Sequence, residues 1–260
     1  MKTLRNIIIA ITLLTSLSIG FISCIDDVLV SDLGVTLDQN SSIVQNGDTV
    51  KITITATTAN DKITTITAVK TGGSALTVPA VTDDKDYSDV IEYVVNDADG
   101  EIEFTITVSS ENSVDPIVKT VKVTVVSSVA VTLGAKTSPL PSFVNGTTLT
   151  TYTSAEAFAA QGMVDLVYTF SDTEGAIVGA PSDAAFVLAS WTTKNETKIG
   201  KITEMTPAAI SAVTGTVVKN LAVDDMLGYV TTTGTNGIIK VTAIVVSDNG
   251  NVTLSFMVIK

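Results

Sequence analysis

Val90-Ile91-Glu92-Tyr93-Val94-Val95, then Asn96-Asp97-Ala98-Asp99-Gly100, then residues 101–109 make up the stretch that decides the fold class. In its second half Ile102, Phe104, Ile106 and Val108 fall on one face of an extended chain, with Glu103, Thr105 and Thr107 on the other. A period of two is the mark of a half-buried strand, and turn residues between two such runs predict a β-hairpin. The same texture spreads in both directions. Upstream, Val35-Thr36-Leu37 predicts a first strand, Asn46-Gly47-Asp48 a turn, and residues 50–56 a strand with Val50, Ile52 and Ile54 aligned. Residues 62–69 form a less regular apolar run that Gly72-Gly73 breaks, and a short segment at 76–78 follows. Downstream, Val121, Val123 and Val125 alternate with Lys122 and Thr124. Roughly seven short strands at regular spacing read as a β-sandwich.

Ser127-Ser128 reads as a hinge, because a new alternation starts at Val129. The second half has more loop signals, among them Ser138-Pro139-Leu140-Pro141 and Asn145-Gly146. Ser154 is placed to cap a short helix through Ala160, with Glu156 in its first turn. Thr206-Pro207 opens a second helix running to Val213, with proline at its tolerated first position. Apolar runs at 163–170 and 186–191 and two closing strands at 237–246 and 251–259 complete the pattern. The expected fold is mainly β: a sandwich over 33–126, then a second β-rich domain over 129–260 with one or two short helices.

The first 23 residues have a different character. Lys2 and Arg5 stand before an apolar run rich in Ile and Leu, which ends at Ser23 and the chain's one cysteine, Cys24. A basic start, an apolar stretch and a small residue at the cut make a secretory leader. Thr12, Thr15, Ser16, Ser18 and Gly20 make that run a poor permanent membrane span. Removing it leaves 237 residues (260 less 23), ample for two cores. Two cations leave with it, taking the net charge from −12 to −14. Such acidity repels phosphate backbones and argues against nucleic-acid binding. A single cysteine supplies no disulfide framework, so packing and hydrogen bonding must hold the fold.

Phe21-Ile22-Ser23-Cys24 resembles a bacterial lipoprotein lipobox, and the resemblance implies cleavage before Cys24 and a diacylglyceryl group on its sulfur. Two or three acyl chains would hold a protein to a membrane permanently, where one holds only reversibly. Residues 24–32 then form an acidic tether. Asp26 and Asp27 resemble the export signal of Bacteroidota surface lipoproteins, which implies the outer face of the outer membrane. Residues 33–126 resemble bacterial immunoglobulin-like modules, which commonly lack paired cysteines. Val131-Thr132-Leu133-Gly134-Ala135-Lys136, residues 164–168, Trp191-Thr192-Thr193-Lys194-Asn195-Glu196-Thr197 and residues 236–241 together resemble a β-rich C-terminal module of Bacteroidota surface lipoproteins. That likeness implies location and domain limits, with no activity attached.

The chain contains no histidine, which removes Ser-His-Asp and Cys-His catalysis and histidine-based zinc or copper sites. There is no glycine-rich phosphate loop with its lysine. Paired carboxylates of the glycosidase kind remain open in principle, yet the expectation is a protein that is not an enzyme. Asp97, Asp99 and Glu101 could offer oxygens to calcium, but they lack EF-hand spacing, and Asp and Gly at a turn are ordinary turn chemistry. Covalent lipid at Cys24 is then the only attached group expected. Trp191, Lys194 and Asn195, with Tyr152 and Tyr229, have the composition of a sugar-stacking face, although a lone Trp more often fills a core.

Two functional expectations follow. The first is a lipid-anchored surface protein serving as a binding, adhesion or structural module, with an envelope protein, a host surface or a polysaccharide as partner. The alternative is a glycan-capture accessory of a polysaccharide-uptake system, which requires Trp191, Tyr152 and Tyr229 exposed on one surface. A fimbrial or surface-layer subunit would carry a swapped or missing strand at a terminus.

Overall fold

The computed structural model describes residues 32–39, 42–186 and 188–259. Cys24, Asp26 and Asp27 lie outside the described residues. Among the described residues the fold is mainly β, with several sheets and two short α-helices. The first seven strands are β1 (Gly34–Gln39), β2 (Ile43–Val44), β3 (Thr49–Thr57), β4 (Ile63–Lys70), β5 (Asp86–Val94), β6 (Gly100–Ser110) and β7 (Ile117–Val125). They form two sheets, ordered β1-β3-β5 and β2-β7-β6-β4, in which only the β2–β7 pair is parallel. The aligned residues Val50, Ile52 and Ile54 of β3 meet Phe104, Ile106 and Val108 of β6 in one shared core.

The expected hairpin at 90–109 does not form. β5 pairs with β3 and β6 pairs with β4 and β7, so residues 95–99 cross from one sheet to the other. Alternation demands only that each strand bury one face. A hairpin and a crossing meet that demand equally, and the turn decides between them. Val95 is buried at the crossing. Asp97 accepts from the Tyr93 hydroxyl at 2.6 Å and pairs with Lys70 of the opposite sheet, while its own N–H donates to Asn46. Lys70 also sits over the Tyr93 ring, 5.5 Å from its centroid. Gly100 leaves the crossing at φ 141°, a conformation that a side chain would oppose.

The remaining strands are β8 (Ser128–Gly134), β9 (Phe143–Val144), β10 (Thr151–Tyr152), β11 (Leu166–Ser171), β12 (Gly175–Gly179), β13 (Lys198–Lys201), β14 (Val217–Val218), β15 (Met226–Val230), β16 (Asn236–Val245) and β17 (Asn251–Ile259). Two five-stranded sheets result, β10-β9-β11-β12-β14 and β13-β15-β16-β17-β8. Leu166 and Tyr168 of β11 pack against Val241, Leu254 and Phe256 of the facing sheet. Gly237 is obligatory there, because a Cβ would fall inside the buried Tyr229 ring. Helix α1 (Ser154–Ala159) is capped by Thr153, one residue before the expected Ser154: Glu156 reaches back to the Thr153 N–H at 2.9 Å and closes a capping box. Helix α2 (Pro207–Ser211) has Thr206 as its cap and ends two residues short of Val213. The apolar run at 186–191 is a wound loop, and β12, rich in glycine, takes the place beside β11.

The expected hinge is a packed junction. Ser128 already belongs to β8, opposite Met257, and Val126 before it is only 5% exposed. Ile43 and Val126 of the first sandwich bury themselves against Ile210 of α2, Ile238 and Met257. Ile238 and Met257 alternate with core residues, so the first sandwich rests on the outer face of the β13-β15-β16-β17-β8 sheet. The chain enters at the opposite pole. There the Asp32 carboxylate accepts from the Thr58 hydroxyl and from the N–H groups of Ala59 and Asn60 at 3.0 and 3.1 Å. Entry and junction are thus separated by the nine residues of β3 or β7, a span of about 30 Å at strand rise. Both terminal strands pair within the chain, β1 with β3 and β17 with β16 and β8, so no terminal strand is swapped or missing among the described residues.

Lys70 and then Tyr93 hold the Asp97 carboxyl below its ordinary range. A depressed folded pKa stabilises above the unfolded value and is lost as pH falls through the folded one. Asp97→Ala is expected to cost about 2 kcal/mol at pH 7, and the gap from wild type should close in urea titrations run progressively below pH 3.8. At the junction, Val126→Asp should split a single unfolding transition into two, as followed by amide exchange in each sandwich.

Candidate functional site

The sheet β10-β9-β11-β12-β14 has two apolar faces. On β11, Leu166, Tyr168 and Phe170 turn toward the facing sheet, and Val167, Thr169 and Ser171 turn outward. Phe143 of β9 and Ile177 of β12 join Val167 on the outward side, where Ala157 of α1, Phe186 and Trp191 cover them. Phe143 and Trp191 stack with centroids 5.5 Å apart and planes at 26°. The cover is held by turn chemistry. Asp183 accepts from the Ala185 N–H at 2.9 Å and from the Thr216 hydroxyl at 2.5 Å, and the Trp191 N–H donates to Leu188 at 3.1 Å. Gly179 allows the close approach, since a Cβ there would stand 2.5 Å from the Thr216 carbonyl and 3.0 Å from the Phe186 ring.

The cover is incomplete, and a cleft of about 450 Å³ remains. Phe143, Val167, Ile177, Phe186 and Leu188 give it apolar walls, Ser142, Ser154, Thr169 and Ser171 supply hydroxyls, and Tyr168 and Phe170 of the inward set on β11 also border it. Its two charged residues are Glu174, already bound to Lys219 at 2.5 Å, and Lys136 from the loop between β8 and β9. Among the described residues Lys136 has no carboxylate partner. A hollow of this size with few polar groups over apolar walls suits a small ligand. Its sole carboxylate is committed, so the paired carboxylates of glycoside hydrolysis are not assembled in it. Neither family models nor curated proteins nor solved structures match this chain.

The residues singled out in the sequence do not converge. Tyr229 is fully buried in the core between the two sheets, its hydroxyl donating to the Gly146 carbonyl at 2.6 Å. Trp191, 9% exposed, lies on the other side of the β11 sheet with Tyr152 half-buried beside that cluster. A shared sugar-stacking surface of Trp191, Tyr152 and Tyr229 therefore does not exist: two of the rings are spent on packing, on opposite faces of a sheet. Asn195 is structural, donating to the Gly162 carbonyl and to Asp165, each at 3.0 Å. Lys194 beside it is exposed. Asp97, Asp99 and Glu101 are held apart by separate partners, Lys70 with Tyr93, Ser127 at 2.7 Å and Lys122 at 2.7 Å. Among the described residues no group of three or more His, Cys, Asp or Glu is placed to hold a metal.

Sequence reading passed over Asp165, and the clue was a carboxylate inside an apolar run. It is 3% exposed and accepts from the Gly146 N–H at 2.8 Å as well as from Asn195. Burial pushes its carboxyl above the ordinary value, against the pull of those two donors. A raised folded pKa means that the native state holds its proton where the unfolded chain has lost it, so this site costs stability as pH rises from 3.8 upward. Removing a donor raises the pKa further. Asn195→Ala is expected to cost about 2 kcal/mol at pH 7 and about half that below pH 4, with the Asp165 carboxyl titrating at higher pH by NMR.

Proposed function

We propose that this chain is a non-enzymatic binding protein, lipid-anchored through Cys24 and displayed on the cell exterior, in which the first sandwich is a spacer and the second carries the ligand site. The observation that carries this reading is the placement of the cleft. The chain enters the first sandwich at one pole and meets the second at the other. The junction occupies the outer face of one sheet of the second sandwich, and most of the cleft's lining belongs to the outer face of the other. A protein tethered at its N-terminus would thus hold the cleft on the side turned away from the spacer.

Further support comes from the strand order of the first sandwich. Three strands facing four, with a crossing between β5 and β6, fit the immunoglobulin-like reading of residues 33–126. Asp26 and Asp27 after Cys24 support outward export in the Bacteroidota manner, and the partner at the outer membrane is then the bilayer itself. Among the described residues no helix is long and apolar enough to cross a membrane; in this reading the lipid is the anchor. Burial of Trp191 and Tyr229 takes its expected platform from the glycan-capture alternative.

Cells expressing the wild type and Cys24→Ala should separate the parts of this reading. The wild type is expected to take up an alkynyl fatty acid, fractionate with membranes and be shaved by protease added to intact cells. Cys24→Ala should lose label and membrane attachment together. An unlabelled wild type, or membrane attachment unchanged in Cys24→Ala, would reject the anchor.

A further inference from the structure

We propose that the cleft over β11 and β12 binds a linear amphiphilic carboxylate, its apolar tail against Phe143 and Val167 and its charged head at Lys136. This rests on the reading of the chain as a displayed binding protein and names the class of ligand. Shape gives the first argument. The outward residues Val167, Thr169 and Ser171 line the cleft along one strand, a run of about 13 Å at strand rise. That is a groove for a medium alkyl chain rather than for a compact ring.

Polarity gives the second. At the Val167 end the walls are Phe143 and Phe186, and Ile177 follows opposite Thr169. Toward the β11–β12 turn Ser171 and Glu174 add polar groups beside Phe170, and Ser171 stands opposite Gly175 in the register. A ligand matched to both ends is apolar at one and polar at the other. Each methylene buried would tighten binding about fourfold.

Charge gives the third. The chain carries a net charge of −12, so an anion finds little to attract it over most of the surface. Among the cleft's charged residues Glu174 is neutralised by Lys219, which leaves Lys136 as the uncompensated one. One ammonium suits a monoanion. A phosphate ester carries more charge and prefers several cations or the planar fork of arginine, which this cleft does not contain. A neutral sugar would leave the lysine unused and find no amide side chain among the lining residues.

The sole tryptophan reports on this site, because Trp191 stacks on Phe143 at the apolar end. Residues 24–260 carrying Cys24→Ala, the processed chain without leader or lipid, would be titrated with decanoate and with decanol while Trp191 emission is followed. The expected result is a saturable one-to-one change with decanoate, and binding of decanol about fivefold weaker. Lys136→Gln should bring decanoate down to the decanol value and leave decanol unchanged. Thr169→Phe, filling the cleft from a half-buried outward position, should abolish both with the circular dichroism intact. No saturable change, equal affinity for the two ligands, or decanoate binding indifferent to either substitution would overturn the proposal. Failure here with surface display intact would reject the ligand class alone. Binding in a protein that is not displayed would sustain the ligand class and reject the location.

Discussion

The β9–β11–β12 sheet carries apolar side chains on both faces, and that doubled demand for cover organises the second sandwich. Leu166, Tyr168, Ala176 and Val178 look inward, and Phe143, Val167 and Ile177 look outward. Each such side chain returns about 2 kcal/mol when withdrawn from water, so neither face can be left wet. The inward face is met by a second sheet, which presents a continuous surface. The outward face is met by a short helix and a wound loop, which touch it at Ala157, Phe186 and Trp191. Cover supplied by separate side chains leaves gaps between them, and the cleft is such a gap. Gly179 sets how close the cover can come, since any side chain there would lift Phe186 from the sheet.

The facing sheet meets the corresponding demand differently. Its outer residues Ile238 and Met257 are covered by α2 and by Ile43 and Val126 of the first sandwich. Linker length reinforces this, because Val126 and Ser127 are all that separates β7 from β8. The Ser127 hydroxyl bonded to Asp99 ties even those residues to the first sandwich. Two bodies joined so closely through buried apolar contacts have little freedom to turn. The orientation of the cleft relative to the tether pole is therefore set by packing, and no flexible connection has to be ordered when a ligand arrives.

Much of this was legible in the sequence, and the limits have physical causes. Alternation over Val50, Ile52 and Ile54, and over Phe104, Ile106 and Val108, gave strand positions and inward faces directly. It could not say whether β5 turns back on β6 or crosses to the other sheet. That choice lies in long-range contacts of Asp97 with Lys70 and Asn46, which no local pattern reports. The loop at 186–191 read as an apolar run because its apolar residues answer to a sheet beneath them. β12 went unseen because Gly175 and Gly179, which its close neighbours require, weaken strand propensity. Composition left a surface pair of Trp191 and Tyr229 open while favouring a core place for Trp191, and only the fold puts the two rings on opposite sides of the sheet. The cleft itself had a faint signature in the outward hydroxyls Thr169 and Ser171, in register beside an apolar run.

Charge explains why one lysine in the cleft matters more than its number suggests. Lys51, Lys62, Lys70, Lys122, Lys201, Lys219 and Lys240 all stand within reach of a carboxylate. Most of these pairs are exposed and contribute little to stability. Their effect on the potential is local: each pair leaves little field of its own, and the chain's net charge of −12 is the same wherever its lysines sit. An approaching anion then meets a repulsive far field, which physiological salt screens beyond about 8 Å. Inside that distance Lys136, an exposed residue beside the apolar wall, supplies a modest attraction. Small hydrophilic anions gain nothing from the wall and stay hydrated outside. An anion with an alkyl tail gains at both ends, and that difference is the selectivity that the cleft can exercise.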